Sequence, residues 1–418
     1  MAKYIIEGGR RIAGSLRMHG AKNAALPILA ATLVPVTAST ITNCPQLSDV
    51  EAACNILECL GCDIRRQDNT ITILPAESHC GAIPDELMGE MRSSILFLGA
   101  IISRFGKARI SYPGGCEIGP RPIDMHIAAL RKMGAVIEED HGYLDCRVDG
   151  RLVGCDISLP FPSVGATENI MIAAATAEGV TTLHNAAREP EIADLAGYIN
   201  ACGGRIAIST DSTIVIEGVP ELQGAEYSVI PDRIATATYL CAAAITGGEI
   251  ILTQVQPSHL AAVLPVFEEM GCRITYTDDT ITLSASARPG PVRHIKTMPY
   301  PGFPTDSQAP IMAAVSVADG SSMFVENIFE SRYKHAGELI KMGAKIKTEG
   351  RVAVVEGVPR LHSAHVRCTD LRGGAALAIA ALAAEGTTVV DDIKHIDRGY
   401  EHFEQNLGRL GAVIKREL

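Results

Sequence analysis

Six stretches decide the fold: CLGCDIRR (59–66), KMGAVIEE (132–139), ACGGRIAI (201–208), EMGCRITY (269–276), KMGAKIKT (341–348) and RLGAVIKR (409–416). Each reads as a helix end, a glycine, a small residue and the start of a strand. The glycines, Gly61, Gly134, Gly203, Gly271, Gly343 and Gly411, are 73, 69, 68, 72 and 68 residues apart. Self-similarity at a fixed period marks a chain built from copies of one supersecondary unit. Glycine suits the position because a helix often ends on a left-handed residue, a conformation in which any Cβ clashes.

A second series keeps the same period: IISRFGKARIS (101–111), ATAEGVTTLHN (175–185), AAITGGEIILT (243–253), SVADGSSMFVE (316–326) and ALAAEGTTVVD (381–391). Each is an Ala-rich helix, a glycine and a β-branched strand; the first copy, ATLVPVTASTI (31–41), lacks the glycine. Six units of about 70 residues account for the whole chain. Each unit holds two kinds of helix. One, as in SILFLGAII (94–102) or ALAIAALAA (376–384), is apolar around its whole circumference and predicts burial on all sides. The other, as in RPIDMHIAALRKMG (121–134), is amphipathic, and strands such as NTITILPA (69–76) alternate as half-exposed sheet does. Buried helices with sheets outside them predict an inside-out α/β architecture. Three units per domain is the simplest division, with a boundary near residue 230. The first twenty residues read as a strand and a turn that could pair with either domain.

Composition narrows the function. The chain has 418 residues, 47% hydrophobic and 20% charged, with a mean hydropathy of +0.17, so it can bury large cores. The formal charge, 37 − 48 = −11, argues against a nucleic-acid surface or an anionic-membrane patch, and any anion site has to be local. The N-terminus lacks a signal-peptide h-region and no apolar run is long enough for a membrane helix, which predicts a cytoplasmic protein. Twelve scattered cysteines suit reduced thiols. Cys59 and Cys62 have metal-ligand spacing but no second pair, and Cys62 occupies the small-residue slot of the repeat, so no metal is expected.

Candidate chemistry lies at the starts of the apolar helices, which carry polar residues that burial alone does not require. These are Lys22 and Asn23, Arg92, Ser163 and Glu168, Asp232 and Arg233, Asp306, and Asp370 and Arg372. Helix N-termini offer free N–H donors and a positive dipole end, so several converging between two domains would form an anion site. Ser163, Thr305, Asp306 and Thr369 could equally be N-caps. Lys22, Arg92 and Arg372 gain nothing from a positive dipole end and call for an anionic ligand or partner carboxylates. Cys116 lies in the Pro/Gly-rich loop SYPGGCEIGPRPIDMH (111–126), where Arg121 could favour its thiolate or bind an anion. His126 reads as a surface or interface residue. Arg398, placed at the start of an exposed helix, reads equally as a solvated charge or an anion contact.

GAKNAALPILAA (20–31), the Cys116 loop, PSVGATEN (162–169), YPGFPTDSQAP (300–310), DLRGGAAL (370–377) and IDRGYEH (396–402) occur in the order found in the UDP-N-acetylglucosamine enolpyruvyl transferases of bacterial peptidoglycan synthesis, which the chain resembles over essentially its whole length. The resemblance implies a two-domain inside-out α/β barrel with domains at 21–229 and at 1–20 plus 230–418, and an active site in the cleft. It implies addition of the sugar 3-hydroxyl to C2 of phosphoenolpyruvate with protonation at C3, then loss of phosphate. Cys116 would be the general acid, a covalent adduct site and the thiol alkylated by fosfomycin. Asp306 would be the base, a role that burial could tune by raising its pKa. Lys22, Arg121 and Arg398 would hold phosphoenolpyruvate, with Arg92 and Arg372 extending that cluster and Arg332 and Asp370 as further substrate contacts. Asn23, Arg121 to Asp124 (with Pro122 and Ile123), Ser163, Val164, Gly165 and Ile328 would line the nucleotide-sugar site. No cofactor is implied, and a ligand-dependent domain closure is. One departure is Phe161, where some members of the family carry Lys. The cysteine loop and PSVGATEN disfavour the alternative, a shikimate-type enolpyruvyl transferase, and the presence of Cys116, Lys22 and Asp306 disfavours a catalytically silent paralogue.

Overall fold

A computed structural model describes residues 2–76, 83–114, 118–119, 122–285 and 288–418. They form two compact bodies, one comprising the described part of 20–114 and residues 122–230, the other residues 2–19, 118–119 and the described part of 231–418.

In the first body the helices Lys22–Ala31, Leu96–Phe105 and Val164–Ala174 pack against one another, and nearly every side chain in them is buried. A helix surrounded by apolar neighbours needs no polar face, which is why these segments are Ala-, Ile- and Leu-rich all round. Three sheets accompany them. One has the strand order Glu226–Ser228, Ser39–Thr42, Thr70–Leu74, Asp63–Gln67; the second Lys107–Ser111, Tyr143–Arg147, Val136–Asp140; the third Arg205–Ile208, Ile214–Glu217, Val180–His184, Asp156–Ser158. Inner strands such as Thr70–Leu74 alternate, with Ile71 and Ile73 inside and the residues between them half-buried.

The second body repeats the plan with buried helices Arg233–Thr246, Thr305–Val315 and Leu371–Ala383 in mutual contact. Its three four-stranded sheets show what the first twenty residues are for. Lys3–Glu7 pairs antiparallel with both Thr387–Asp391 and Val413–Glu417, supplying the inner strand that the sixth unit lacks. Ala13–Arg17 pairs parallel with Glu249–Thr253 as the edge of another sheet. The two ends of the chain therefore close one sheet.

All six repeat glycines are left-handed, with φ from 84 to 98°. At each the helix ends in one pattern: Gly61 N–H donates to the Glu58 carbonyl and Cys62 N–H to the Leu57 carbonyl, and the same pair of bonds recurs at Gly134, Gly203, Gly271, Gly343 and Gly411. This is the Schellman ending, which satisfies carbonyls the helix leaves unpaired. Cys62, Ala135, Cys272 and Ala344 are buried in the slot after the glycine. The third copy has Gly204 there, where a Cβ would lie 2.6 Å from Ile199 Cγ2.

Candidate active site

Three buried-helix starts converge in the second body. Asp232 caps the helix Arg233–Thr246, its Oδ1 accepting from the Ile234 and Ala235 N–H groups at 2.8 Å. Asp370 caps Leu371–Ala383 in the same way, accepting from the N–H groups of Arg372 (3.1 Å) and Gly373 (3.0 Å). Thr369 is not the cap that was expected. The third start has no side-chain cap, because Pro304 occupies that position. Thr305 and Asp306 therefore lie inside the helix, and their side chains turn to other partners.

Asp306 is the centre of the arrangement. Its Oδ1 accepts from Arg332 Nη2 at 2.7 Å, and its Oδ2 lies 3.7 Å from Arg372 Nη2. Arg332 Nη2 also donates to the Thr305 carbonyl, and its Nη1 is 3.8 Å from Asp370 Oδ1. Both guanidiniums are buried, at 3% side-chain exposure, while Asp306 retains 27%. Arg372 stacks on Tyr400, its Cζ 5.1 Å from the ring centroid. Burial pulls the Arg372 pKa down, but Tyr400, Asp306 and Asp232 outweigh it, so the pKa stands above its ordinary value and the charge is secure. Asp306 itself is partly exposed and lies beside these two cations.

Several buried polar atoms here have no hydrogen-bond partner among the described residues: Nε of Arg332, Nε and Nη1 of Arg372, Nε2 of His335, Oγ of Ser307 and Oε1 of Gln308. Unpaired buried donors are costly, and guanidinium N–H groups left over after ion pairing suit an anionic ligand. His335 Nδ1 lies 3.1 Å from the Arg332 carbonyl, and burial holds its pKa down to about 4, so the ring is neutral. Ile328 is half-buried in the loop before Arg332. Arg398 does not start an exposed helix; it ends the short helix Lys394–Asp397, and the next helix, Phe403–Arg409, buries Phe403, Asn406 and Leu407. Ile118 and Gly119, just after Cys116, lie beside this loop, the Ile118 carbonyl accepting from Ser331 N–H at 3.0 Å. Cys116 and Arg121 themselves fall outside the described residues.

In the first body, Lys22 opens its helix and its Nζ lies 2.6 Å from Asp49 Oδ2, both side chains buried. The partner carboxylate allowed for in the sequence is therefore present. Asn23 is half-buried beside it. Ser163 is a cap, its side chain accepting from Ala166 N–H at 3.4 Å. His126 is not a surface residue. It is 6% exposed, and its ring lies 3.3 Å from where a Cβ on Gly165 would be. Its pKa falls to about 4 through burial and then Arg92, against Asp124. The ring therefore gathers three predicted patches, Arg92, Asp124 and Ser163–Gly165. Asn169 fixes its tautomer. The Asn169 Oδ1 accepts from Gly99 N–H, so its amide nitrogen faces His126 Nδ1 at 3.0 Å, and the neutral ring carries its proton on Nε2. Pro122 and Asp124 are exposed, Ile123 and Val164 half-buried, and Phe161, at 45%, is exposed. Glu168 is buried, and burial with Glu191 and Glu189 pushes its pKa well up.

The sequence profile of EPSP synthase (3-phosphoshikimate 1-carboxyvinyltransferase) matches residues 6–407. A UDP-N-acetylglucosamine 1-carboxyvinyltransferase 2 of Caldanaerobacter subterraneus subsp. tengcongensis is 50% identical, covering 100% of both chains. A UDP-N-acetylglucosamine 1-carboxyvinyltransferase of Psychrobacter sp. is 47% identical over 100% of this chain and 96% of its own. Among solved structures, the enolpyruvyl transferase NikO from Streptomyces tendae superposes with a TM-score of 0.89 at 26% identity, over 99% of this chain and 98% of that one. An EPSP synthase from Acinetobacter baumannii, 16% identical over 100% of both chains, shares the fold with a TM-score of 0.79. No helix among the described residues is long and apolar enough to cross a membrane. With relatives near 50% identity end to end and the six-unit fold in common, the chain belongs to the enolpyruvyl transferases, on their UDP-N-acetylglucosamine 1-carboxyvinyltransferase branch.

Proposed function

We propose that this enzyme transfers the enolpyruvyl group of phosphoenolpyruvate to the 3-hydroxyl of UDP-N-acetylglucosamine in the cytoplasm, the entry step of peptidoglycan synthesis. The observation that carries the reading is the Asp306 carboxylate held 2.7 Å from Arg332, beside guanidinium N–H groups of Arg332 and Arg372 that have no partner among the described residues. A carboxylate base next to buried guanidinium N–H groups without an acceptor among the described residues suits the addition of a hydroxyl to an anionic enol phosphate. Asp306 accepts the hydroxyl proton as oxygen attacks C2, and Cys116 delivers a proton to C3. The tetrahedral adduct then loses phosphate as C3 gives a proton back. Lys22, Arg121, Arg372 and Arg398 bind the phosphate and carboxylate. Arg92, the neutral His126 and the Ser163–Gly165 helix start face the nucleotide sugar. The resemblance assigns Cys116 as the thiol that fosfomycin alkylates.

The test is phosphate release from phosphoenolpyruvate with UDP-N-acetylglucosamine, in wild type and in Cys116→Ala, with shikimate 3-phosphate as control acceptor. Turnover with the nucleotide sugar alone, lost in the variant, is expected. Turnover with shikimate 3-phosphate moves the protein to the sister activity, and no turnover with either makes it a silent paralogue.

A further inference from the structure

Glu326 follows the strand Ser321–Val325 and is 1% exposed. Its Oε1 accepts from Thr297 Oγ1 (2.8 Å), Ile328 N–H (2.8 Å) and Phe329 N–H (3.1 Å), and its Oε2 accepts from Thr305 Oγ1 (2.9 Å). Thr297 Oγ1 in turn accepts from Asn327 N–H at 2.9 Å, which directs its own hydrogen to Glu326. Four donors and no cation surround this side chain in the described residues. A buried carboxylate is costly unless its lone pairs are filled, and here dipoles fill them. The two oxygens serve different elements. Oε1 closes the turn at Ile328 and Phe329, which leads to Arg332; Oε2 holds the first residue of the helix Thr305–Val315, next to Asp306. The Thr305 carbonyl is held separately by Arg332, so Thr305 is fixed from both sides.

We propose that Glu326 is a positioning residue that sets Asp306 through Thr305 and the Ile328 turn through its backbone, so that one carboxylate couples the base to the nucleotide-sugar contact. The inference rests on the function proposed above. Misplacing a reacting group by about 1 Å can cost on the order of 100-fold in rate, which gives the scale of the test.

The experiment compares Glu326→Leu and Glu326→Gln with wild type in the phosphate-release assay at saturating substrates, and measures UDP-N-acetylglucosamine affinity by calorimetry. Glutamine keeps an acceptor for the Oε1 donors, and its amide can donate to the Thr305 hydroxyl. Glu326→Leu is expected to lose about 30-fold or more in kcat and about tenfold in affinity, and Glu326→Gln to recover both to within about threefold. Thr305→Val, which cuts only the Oε2 arm, lowers kcat with little change in affinity and serves if Glu326→Leu does not fold. A folded Glu326→Leu with wild-type kcat and affinity overturns the proposal. So does Glu326→Gln as damaged as Glu326→Leu, or Thr305→Val with unaltered kcat. A wild type inactive with the nucleotide sugar would instead overturn the function on which it rests.

Discussion

Asp306→Asn separates the two tasks of this carboxylate. The substitution keeps shape and one acceptor but removes the charge facing Arg332 at 2.7 Å and Arg372 at 3.7 Å. At an effective dielectric of about 20, unit charges at those distances attract by about 6 and about 4.5 kcal/mol, before the cost of having desolvated them. Breaking buried pairs costs about 3–5 kcal/mol. Asp306 is 27% exposed and Asp370 stays 3.8 Å from Arg332, so the lower end applies, about 3 kcal/mol. In a body of this size that lowers Tm by about 6–12 °C. Loss of the base lowers kcat by about 10²–10⁴. Adding Arg372→Met removes the cation whose one carboxylate within 4 Å among the described residues was Asp306, so the double variant regains part of the lost Tm but none of the kcat. Thermal denaturation and phosphate release read the two effects independently. A Tm within a degree or two of wild type in Asp306→Asn refutes the energetic argument, and recovery of kcat in the double variant refutes the role as base.

Lys22→Met takes away the cation 2.6 Å from buried Asp49 and is expected to cost about 3 kcal/mol, most of it recovered by adding Asp49→Asn, while activity stays low in both; denaturant unfolding and turnover measure it. The imidazole nitrogen shifts of His126 and His335 should remain those of neutral rings down to pH 5. Their folded pKa values, about 4, lie below the unfolded 6.5, so the unfolded chain takes up protons that the fold refuses, and their share of stability is lost as pH falls from about 6.5 toward 4. Gly134→Ala meets nothing within 4 Å and should cost about 1–2 kcal/mol from its left-handed backbone alone, whereas Gly204→Ala, driven into Ile199, should cost about 3 kcal/mol by calorimetry. Phe161→Lys, at an exposed position beside the Ser163 cap, should lower KM for the nucleotide sugar several-fold and leave kcat unchanged.

Periodicity carried most of the fold because backbone geometry imposes it. Every helix–strand junction that ends on a left-handed residue prefers glycine, so Gly61 and its five counterparts could be read without any structure. The apolar helices were legible for a similar reason: surrounded on all sides, they have nothing to gain from polar residues. What stood out against them, Lys22, Asp306, Asp370 and Arg372, are residues that the structure ties into ion pairs and a helix cap. The finer geometry was not legible. Whether Thr369 or Asp370 caps a helix depends on a one-residue difference in backbone φ and ψ, and both side chains are good caps. His126 looked like a surface residue because its helix is amphipathic; the signal was across the chain, in Asn169, which with Thr167 and Glu168 is polar in a helix otherwise apolar. Glu326 had no signal, since a glutamate after a strand is normally a solvated end.

The cluster around Asp306, proposed above as the anion site, can fold without depending on a ligand. Lys22, Arg332 and Arg372 are buried cations, and each lies within 4 Å of a carboxylate of its own body: Asp49, Asp306 and Asp370, or Asp306 alone. The protein thus balances its own charge, which avoids the penalty of isolated buried ions. The balance is electrostatic but not directional. Asp306 and Thr305 use only part of the Arg332 fork, and Nε and Nη1 of Arg372 find no acceptor among the described residues. An incoming phosphate or carboxylate therefore meets donors already oriented by ion pairs, at no cost in side-chain ordering. In the proposed reaction, charge developing on substrate oxygens in the tetrahedral adduct is met by groups that do not have to move. The same pairing fixes Asp306, so in the proposed reaction the cations that bind one substrate also hold the base that activates the other.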